Sequence, residues 1–372
     1  MEIKLPAYAK LVISLLGIIL TVFVMIEAKS VLVPLLISGL LAVLISPLTS
    51  WLERRKVPKA LASILSLVAL LGFLAGLVYL LYNQLIGFGD DLGALEAKVT
   101  ELLNKFNDFI DSHIEGVVPI SAGSLKDTIF NYLKGNISSI TQGAIATATS
   151  ITIAFILPIY IFLFLYFRHF LMEFVMMAFS EKNREKVQNA ADKIKMVVQN
   201  YIVGMFLVII ILAILNTIAL VSLGIKHALL FAIFAAMLNV IPYLGPLIGS
   251  TLPILFALLT KDSLWYPIGV FLAFYFIQLA ESNFFTPKIV GGRVSMNPFM
   301  TIVALFIGNF IWGLAGMILF IPGMAVLKVI FDEIPGLEPY GFLLGDTKAS
   351  KEKTETRTLR DKINRVRGRF KV

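Results

Sequence analysis

Apolar residues along this chain gather into long runs, near 9–26, 31–51, 60–83, 144–167, 201–223, 228–259, 264–282 and 299–330. A helix needs roughly 20 apolar residues to cross a hydrocarbon layer about 30 Å thick, and each run reaches or nears that length. The pattern predicts an all-α integral membrane protein with about eight transmembrane or re-entrant helices. The runs at 228–259 and 299–330 exceed what one straight span requires, so each is expected to bend or double back. No small-residue cleavage pattern follows the first run, and the second begins within five residues of it. Those features mark a retained helix rather than a signal peptide.

Between the third and fourth runs the pattern changes to helical amphipathicity. Leu95, Val99, Leu102, Leu103, Phe106, Phe109 and Ile110 recur at three-to-four spacing, and Leu125, Ile129, Tyr132, Leu133, Ile137 and Ile140 do so again. Ser124, with Asp127 three positions on, has the form of a helix N-terminal box. The expected product is a small extracytoplasmic helical insert, either a cap packed on its own apolar faces or an oligomerisation or gating element. Another amphipathic stretch, 181–200, sets Val187, Ala190, Ala191, Ile194, Val197 and Val198 against lysines, which suits a helix in the cytoplasmic interface that runs into the fifth span at Tyr201. The domain layout expected from these segments is 1–83 for the N-terminal spans, 84–143 for the insert, 144–345 for a transport core that includes the interfacial helix at 171–200, and 346–372 for a basic cytoplasmic tail.

Helix interruptions cluster in the second half. The segment 241–249, IPYLGPLIG, puts Pro242, Gly245 and Pro246 in mid-run. Proline removes a backbone donor and clashes with the preceding turn. At membrane depth, unsatisfied backbone is tolerated only where protein or a water-filled cavity surrounds it. Such a break either coordinates a solute, as in discontinuous transporter helices, or is a packing kink with Gly245 and Gly249 in close helix contact. IPGM at 321–324 predicts a similar interruption, and the two Ile-Pro pairs could be the trace of an internal repeat. Asn216, Asn239, Gln278, Asn283, Asn297 and Asn309 are the polar residues near these breaks; each is a pathway candidate or a simple bridge between helices.

Composition agrees with the membrane setting: 58% of residues are hydrophobic, 15% are charged and the mean hydropathy is +0.88. Basic residues give the orientation. Lys4 and Lys10 precede the first span, Arg54, Arg55, Lys56 and Lys59 follow the second, and a further basic block lies within 168–195. Residues 84–143 instead hold eight acids against four lysines, which fits the opposite side. With eight crossings, both termini are expected in the cytoplasm. The tail, 346–372, carries ten Lys or Arg against four Asp or Glu and can hold anionic lipid headgroups. Its basic residues lack interleaved aromatic platforms, so no nucleic-acid partner is expected.

One ionisable residue stands out. Glu281 lies in FLAFYFIQLAESNFFTPKIVGGR, 271–293, inside an aromatic and aliphatic run. A charge at bilayer depth costs about 2.5 kcal/mol or more, so such a residue faces a cavity or a partner and marks a solute or ion pathway. Other chemistry is sparse. The chain has no cysteine, its histidines His113, His169 and His227 do not share a metal-ligand spacing, and no phosphate loop, dinucleotide fingerprint or nucleophile elbow occurs. No cofactor is expected.

AAMLNVIPYLGPLIGS, then IQLAESNFFTPKIVGGRVSMNPF, then GNFIWGLAGMILFIPGMAVLK resemble, in order and spacing, the AI-2E family of bacterial membrane proteins, also called autoinducer-2 exporter-like or PerM-like permeases. Motif detail covers about 199–330, and the layout of spans extends the resemblance to roughly 1–345. The resemblance implies a homo-oligomeric transporter in the bacterial cytoplasmic membrane. Reported activities of the family include export of autoinducer-2 and, in some members, Na⁺(Li⁺)/H⁺ antiport. Pro242, Gly245 and Pro246 match the family's Pro-x-x-Gly-Pro, Glu281 and Asn283 its acidic-Asn pair, and Pro287, Lys288 and Gly291 its Pro-Lys segment. Two positions depart: Met296-Asn297-Pro298 stands where many members have Leu-His-Pro, and Tyr201-Ile202-Val203-Gly204-Met205 where they have Tyr-x-Arg-Gly-Gln. Both changes remove a polar or titratable group.

The expected pathway is lined by the 239–249 break, with Asn239, Pro242, Gly245 and Pro246, and by Gln278, Glu281, Asn283, Pro287, Lys288, Gly291 and Asn297. The expected function is a secondary transporter of a small polar solute such as autoinducer-2, coupled to an ion or proton. Its rivals are a cation/proton antiporter, a passive channel, and a membrane scaffold in which Glu281 merely pairs with Lys288.

Overall fold

The computed structural model describes residues 6–113, 148–179, 184–290 and 296–345. The second amphipathic stretch of the insert with its Ser124 box, Gly291, and the basic tail lie outside the described residues. Among the described residues the regular structure is helical, joined by short turns and loops, apart from a single bridge between Met296 and Gly345. In chain order the helices are α1 (Ala7–Glu27), α2 (Lys29–Arg54), α3 (Lys59–His113), α4 (Ala148–Tyr166), α5 (Arg168–Met177), α6 (Arg184–Ser222), α7 (Ala228–Leu238), α8 (Leu244–Thr260) and α9 (Trp265–Ala280). A π-helical turn (Glu281–Phe285) follows, then α10 (Thr286–Ile289), α11 (Pro298–Trp312), α12 (Leu314–Glu333) and α13 (Glu338–Leu344).

Among the described residues six helical stretches are long and apolar enough to cross a membrane, and a seventh results if α4 and α5, bent by 64° at Phe167, form one span. The two over-long runs resolve as expected into pairs of helices. Residues 228–259 become α7 and α8, and residues 299–330 become α11 and α12. The second pair does not break at its proline. Pro322 is buried inside α12, which continues across it, and the chain turns instead at Gly313, where φ is 62° and ψ is −141°. Only glycine reaches that backbone region without a Cβ clash. The two Ile-Pro pairs are therefore not equivalent, since Ile241-Pro242 lies between helices and Ile321-Pro322 within one.

Another difference concerns the insert. The third apolar run and the first amphipathic stretch form one helix of 55 residues, α3, about 80 Å long at 1.5 Å per residue. Its apolar part, Lys59–Gly89, suffices for a span, and the remainder prolongs the same axis, so the expected boundary at 83 falls inside the helix. Likewise α6 carries the amphipathic stretch from 184 straight into the fifth apolar run without a break at Tyr201.

The chain divides into two compact units: Met1–Ser63, Leu157–Gly204 and Val290–Val372 in one, Ile64–Ile156 and Met205–Ile289 in the other. In the first, α11 and α12 close against each other at glycine. A Cβ on Gly316 would stand 1.9 Å from the Gly308 carbonyl oxygen, and one on Gly308 would stand 2.5 Å from that of Gly316. Trp312 anchors this hairpin to the α1 end, its indole N–H donating to the Met25 carbonyl at 2.7 Å, with Phe320 edge-on to its ring. Arg168 pairs with Glu53 and donates to Ser50 at 3.2 Å, and Lys193 pairs with Glu333.

In the second unit the core comprises Leu220, Phe231, Ala232, Ala235, Phe256, Val270 and Phe274, with Leu95 reaching it from α3. Asp91, beyond the apolar part of α3, ties that helix to the α6–α7 turn. It accepts from Lys226 at 2.8 Å, and its other oxygen lies 2.7 Å from His227 Nε2. His227 sits in the left-handed region at φ 59°, its ring edge-on to Phe88 and Phe256.

Two outcomes follow from these contacts. Gly308→Ala and Gly316→Ala should each lower the thermal midpoint in detergent, by about 1–3 kcal/mol of overpacking, whereas Gly323→Ala, which meets nothing within 4 Å, should leave it unchanged or raise it. The hydrogen bonds from Lys226 and then His227 hold the Asp91 carboxyl below its ordinary value of 3.8. A depressed carboxylate contributes stability that is present above the unfolded value and lost as pH falls through the folded one. Asp91→Asn should therefore be less stable than wild type at neutral pH, and the gap should close below the ordinary carboxylate value, as read from thermal midpoints at stepped pH.

Candidate functional site

The break between α7 and α8 begins where α7 runs out at Leu238 and Asn239 takes the cap position. Ile241 and Pro242 cannot extend the helix, and Tyr243 adopts φ 67° before α8 starts. The loop satisfies its own backbone: Ile241 N–H donates to Leu238, Leu244 N–H to Pro242 and Gly245 N–H to Ile241, at 2.8–2.9 Å. Gly245 is required there because a Cβ would stand 2.0 Å from the Leu238 carbonyl oxygen, and a Cβ on Gly249 would stand 2.8 Å from Ala235. Both glycines thus make the close contact that a packing kink needs. Alongside that contact, the break also opens a cavity.

The cavity measures about 250 Å³ and lies among the second half of α6, α7, α8 and α9, its lining residues all within the second unit. Asn216 from α6, Asn239 from the break, Pro246 and Ser250 from α8, and Tyr275 and Gln278 from α9 contribute to its wall. Asn216 and Asn239 are buried. The Asn216 side-chain oxygen has no hydrogen-bond partner among the described residues.

Glu281 stands one hydrogen bond behind this wall. It is 8% exposed, and both carboxylate oxygens are occupied. Gln278 donates its Nε2–H to one oxygen at 2.7 Å, and Thr286 donates its hydroxyl to the other at 2.5 Å. The π-helical turn makes the second bond possible. An α-helix would bring Phe285 over Glu281, whereas the i→i+5 period brings Thr286 there. Both bonds supply the buried carboxyl with partners in place of water.

Lys288 is not the partner of Glu281. Its ammonium lies 4.2 Å from the Phe284 ring centroid, and no ion pair reaches Glu281 among the described residues. The scaffold reading expected a Glu281–Lys288 pair; instead Lys288 meets Phe284 four residues before it, and two turns of helix separate it from Glu281.

Of the pathway residues expected from sequence, Asn239, Pro246 and Gln278 line one cavity, with Glu281 bonded to Gln278. Pro242 and Gly245 shape the break. Asn283 is exposed and donates its amide to the Leu279 carbonyl, and Pro287 and Lys288 are exposed too. Asn297 belongs to the first unit, where its side chain caps α11 by accepting from the Phe299 N–H at 3.0 Å. Asn216 was one polar residue among several in the sequence, and Ser250 and Tyr275 carried no signal there. The four- and three-residue steps from Phe271 to Tyr275 to Gln278 put them on one face of α9, a pattern that an apolar run does not separate from plain packing.

The family model described as AI-2E family transporter matches residues 11–336. The chain is similar to YrrI of Bacillus subtilis, 26% identical over 306 residues that make up 81% of this chain and 86% of that protein. It is similar to MT0215 of Mycobacterium tuberculosis, 26% identical over 345 residues, 91% of this chain and 92% of that protein. It also resembles the AI-2 transport protein TqsA of Escherichia coli, 22% identical over 345 residues, 90% of this chain and 95% of that protein.

Substitution at 281 separates charge from hydrogen bonding. Glu281→Gln keeps an oxygen for Thr286 and, with the Gln278 amide turned over, a partner for that residue, so its thermal midpoint should stay near that of wild type. Glu281→Leu strands the Gln278 amide and the Thr286 hydroxyl and should destabilise by about 1–3 kcal/mol per stranded group, as measured by thermal unfolding in detergent.

Proposed function

Since this chain belongs to the AI-2E transporter family, we propose that it is a secondary transporter of a small polar solute, with Glu281 as the carboxylate through which a coupled proton or cation acts. The observation that carries this reading is the placement of Glu281: buried, held by Gln278 and Thr286, without a counter-cation among the described residues, and linked through Gln278 to a cavity at a broken helix. A carboxylate fixed by a lysine would have little reason to change protonation during a cycle. One held only by an amide and a hydroxyl can take up and release a proton or meet a passing cation.

The broken helix supports the same reading, because transporter sites favour discontinuous helices near the bilayer midplane. The name of TqsA makes autoinducer-2 the first solute to try. Basic residues around the first two spans and in the amphipathic start of α6 support cytoplasmic termini.

The test is proton movement in liposomes that hold the purified protein and a trapped pH dye, after an imposed gradient of autoinducer-2, Na⁺ or Li⁺. A solute-driven signal in wild type that Glu281→Gln abolishes is the expected result. A signal driven by Na⁺ or Li⁺ alone would replace solute transport with cation/proton antiport through the same carboxylate. Equal signals in both proteins would overturn coupling through Glu281.

A further inference from the structure

The turn between α2 and α3 carries four cations close together, Arg54, Arg55, Lys56 and Lys59, all of them exposed. Among the described residues none of the four has a carboxylate partner, and Glu53, the acid beside them, is taken by Arg168. Trp51, one turn earlier, is half exposed, and the Arg55 guanidinium lies 5.1 Å from its ring centroid. Tryptophan collects at membrane–water boundaries, and clustered cations do not enter hydrocarbon. Residues 51–59 therefore mark the level at which α2 leaves the apolar layer.

Arg168 brings the start of α5 to the same level. Besides its pair with Glu53, it donates to Ser50 at 3.2 Å. Helix α4, with 19 residues, rises about 28 Å, so it needs nothing from α5 to cross a layer of about 30 Å. At Phe167 the axis bends by 64°, which turns α5 away from the span and toward the plane of the membrane. The amphipathic stretch at 184–200 does the opposite, since it continues the axis of α6.

The faces of α5 are sorted against water. Arg168, Met172 and Met176, four residues apart, form its half-buried side. Phe170, Phe174 and Met177 point outward, 63%, 63% and 72% exposed, with Leu171 and Val175 beside them. His169 and Glu173 are the polar groups at the edge of this surface. A face of this kind lies in water at a cost, whereas acyl chains bury it.

We propose that α5 and the α2–α3 turn together form a site for an anionic phospholipid, with the phenylalanine face of α5 among acyl chains and Arg54, Arg55, Lys56 and Lys59 at the headgroup phosphate. Charge favours this occupant over the others. A second copy of the chain brought patch to patch would set these cations against the same cations. A free phosphate would answer the charges and leave the apolar face in water. An anionic lipid meets both, and clusters of four or more cations beside a span attract such headgroups. The site shares no residue with the cavity beside Gln278 and stands whatever solute is carried.

The test uses the full chain in liposomes. Trp51 reports on the turn: quenching of its fluorescence by brominated phosphatidylglycerol, set against brominated phosphatidylcholine, gives the preference for the anionic lipid. Trp51→Phe measured alongside removes the signals of Trp265 and Trp312. Wild type should prefer phosphatidylglycerol roughly tenfold, and Arg54→Gln combined with Lys59→Gln should bring the preference close to one. Because that double variant alters charges that orient the chain, wild type in about 0.5 M salt is measured beside it and should lose most of the preference by screening. Depth is read separately from a nitroxide on Phe174→Cys, in a chain without other cysteines. That label should collide with oxygen and be shielded from a water-soluble nickel complex. No preference in wild type, or a preference kept in high salt or by the correctly inserted double variant, overturns the headgroup site. Inorganic phosphate that abolishes the preference makes the occupant a free anion and overturns the lipid. A label open to nickel places α5 in water, and one shielded from both reagents places it against protein such as a second copy; either result overturns the assignment of α5 to lipid.

Discussion

A helix that stops inside an apolar layer leaves carbonyl and N–H groups without partners, and this protein depends on how it handles that constraint. Water at a surface would satisfy those groups; hydrocarbon does not. The two places where long apolar runs reverse are accordingly built with glycine. At 239–245 the backbone bonds to itself through a compact turn, and Gly245 lets the Leu238 carbonyl come close. At 313 a single glycine takes up the reversal, and Gly308 and Gly316 allow α11 and α12 to touch through their backbones. In membranes such close approach supplies packing that hydrophobicity cannot, because lipid is as apolar as the side chains.

The same constraint explains the π-helical turn. An ionised carboxylate in this setting needs partners supplied by the protein, and the helix provides them by widening for one turn so that Thr286 joins Gln278 around Glu281. The widened turn sacrifices some regular backbone geometry. In exchange, among the described residues, the carboxyl is held by an amide and a hydroxyl.

Membership of the AI-2E transporter family and a run of membrane-length helices place the chain among multi-pass transport proteins. Function resides in the site rather than in the fold. Here the site joins a cavity lined with amides to a buried acid through one glutamine side chain.

Apolar periodicity alone determined the membrane class, the interruption of the two longest runs and the prominence of Glu281, although it counted about eight spans where the described residues hold six or seven of membrane length, because burial in lipid demands long apolar stretches and makes any charge within them conspicuous. Tertiary structure decided the rest. That the second pair turns at Gly313 and not at Pro322 depends on backbone angles that only packing of α11 on α12 selects. That α3 runs unbroken past the expected boundary at 83 reflects a helix able to leave an apolar layer without a change in its own hydrogen bonding. Lys288, seven residues along from Glu281, lies over Phe284 four residues before it. Asn216 joins Asn239 and Gln278 only when three helices meet, and pattern along one chain carries no information about which faces of separate helices come together.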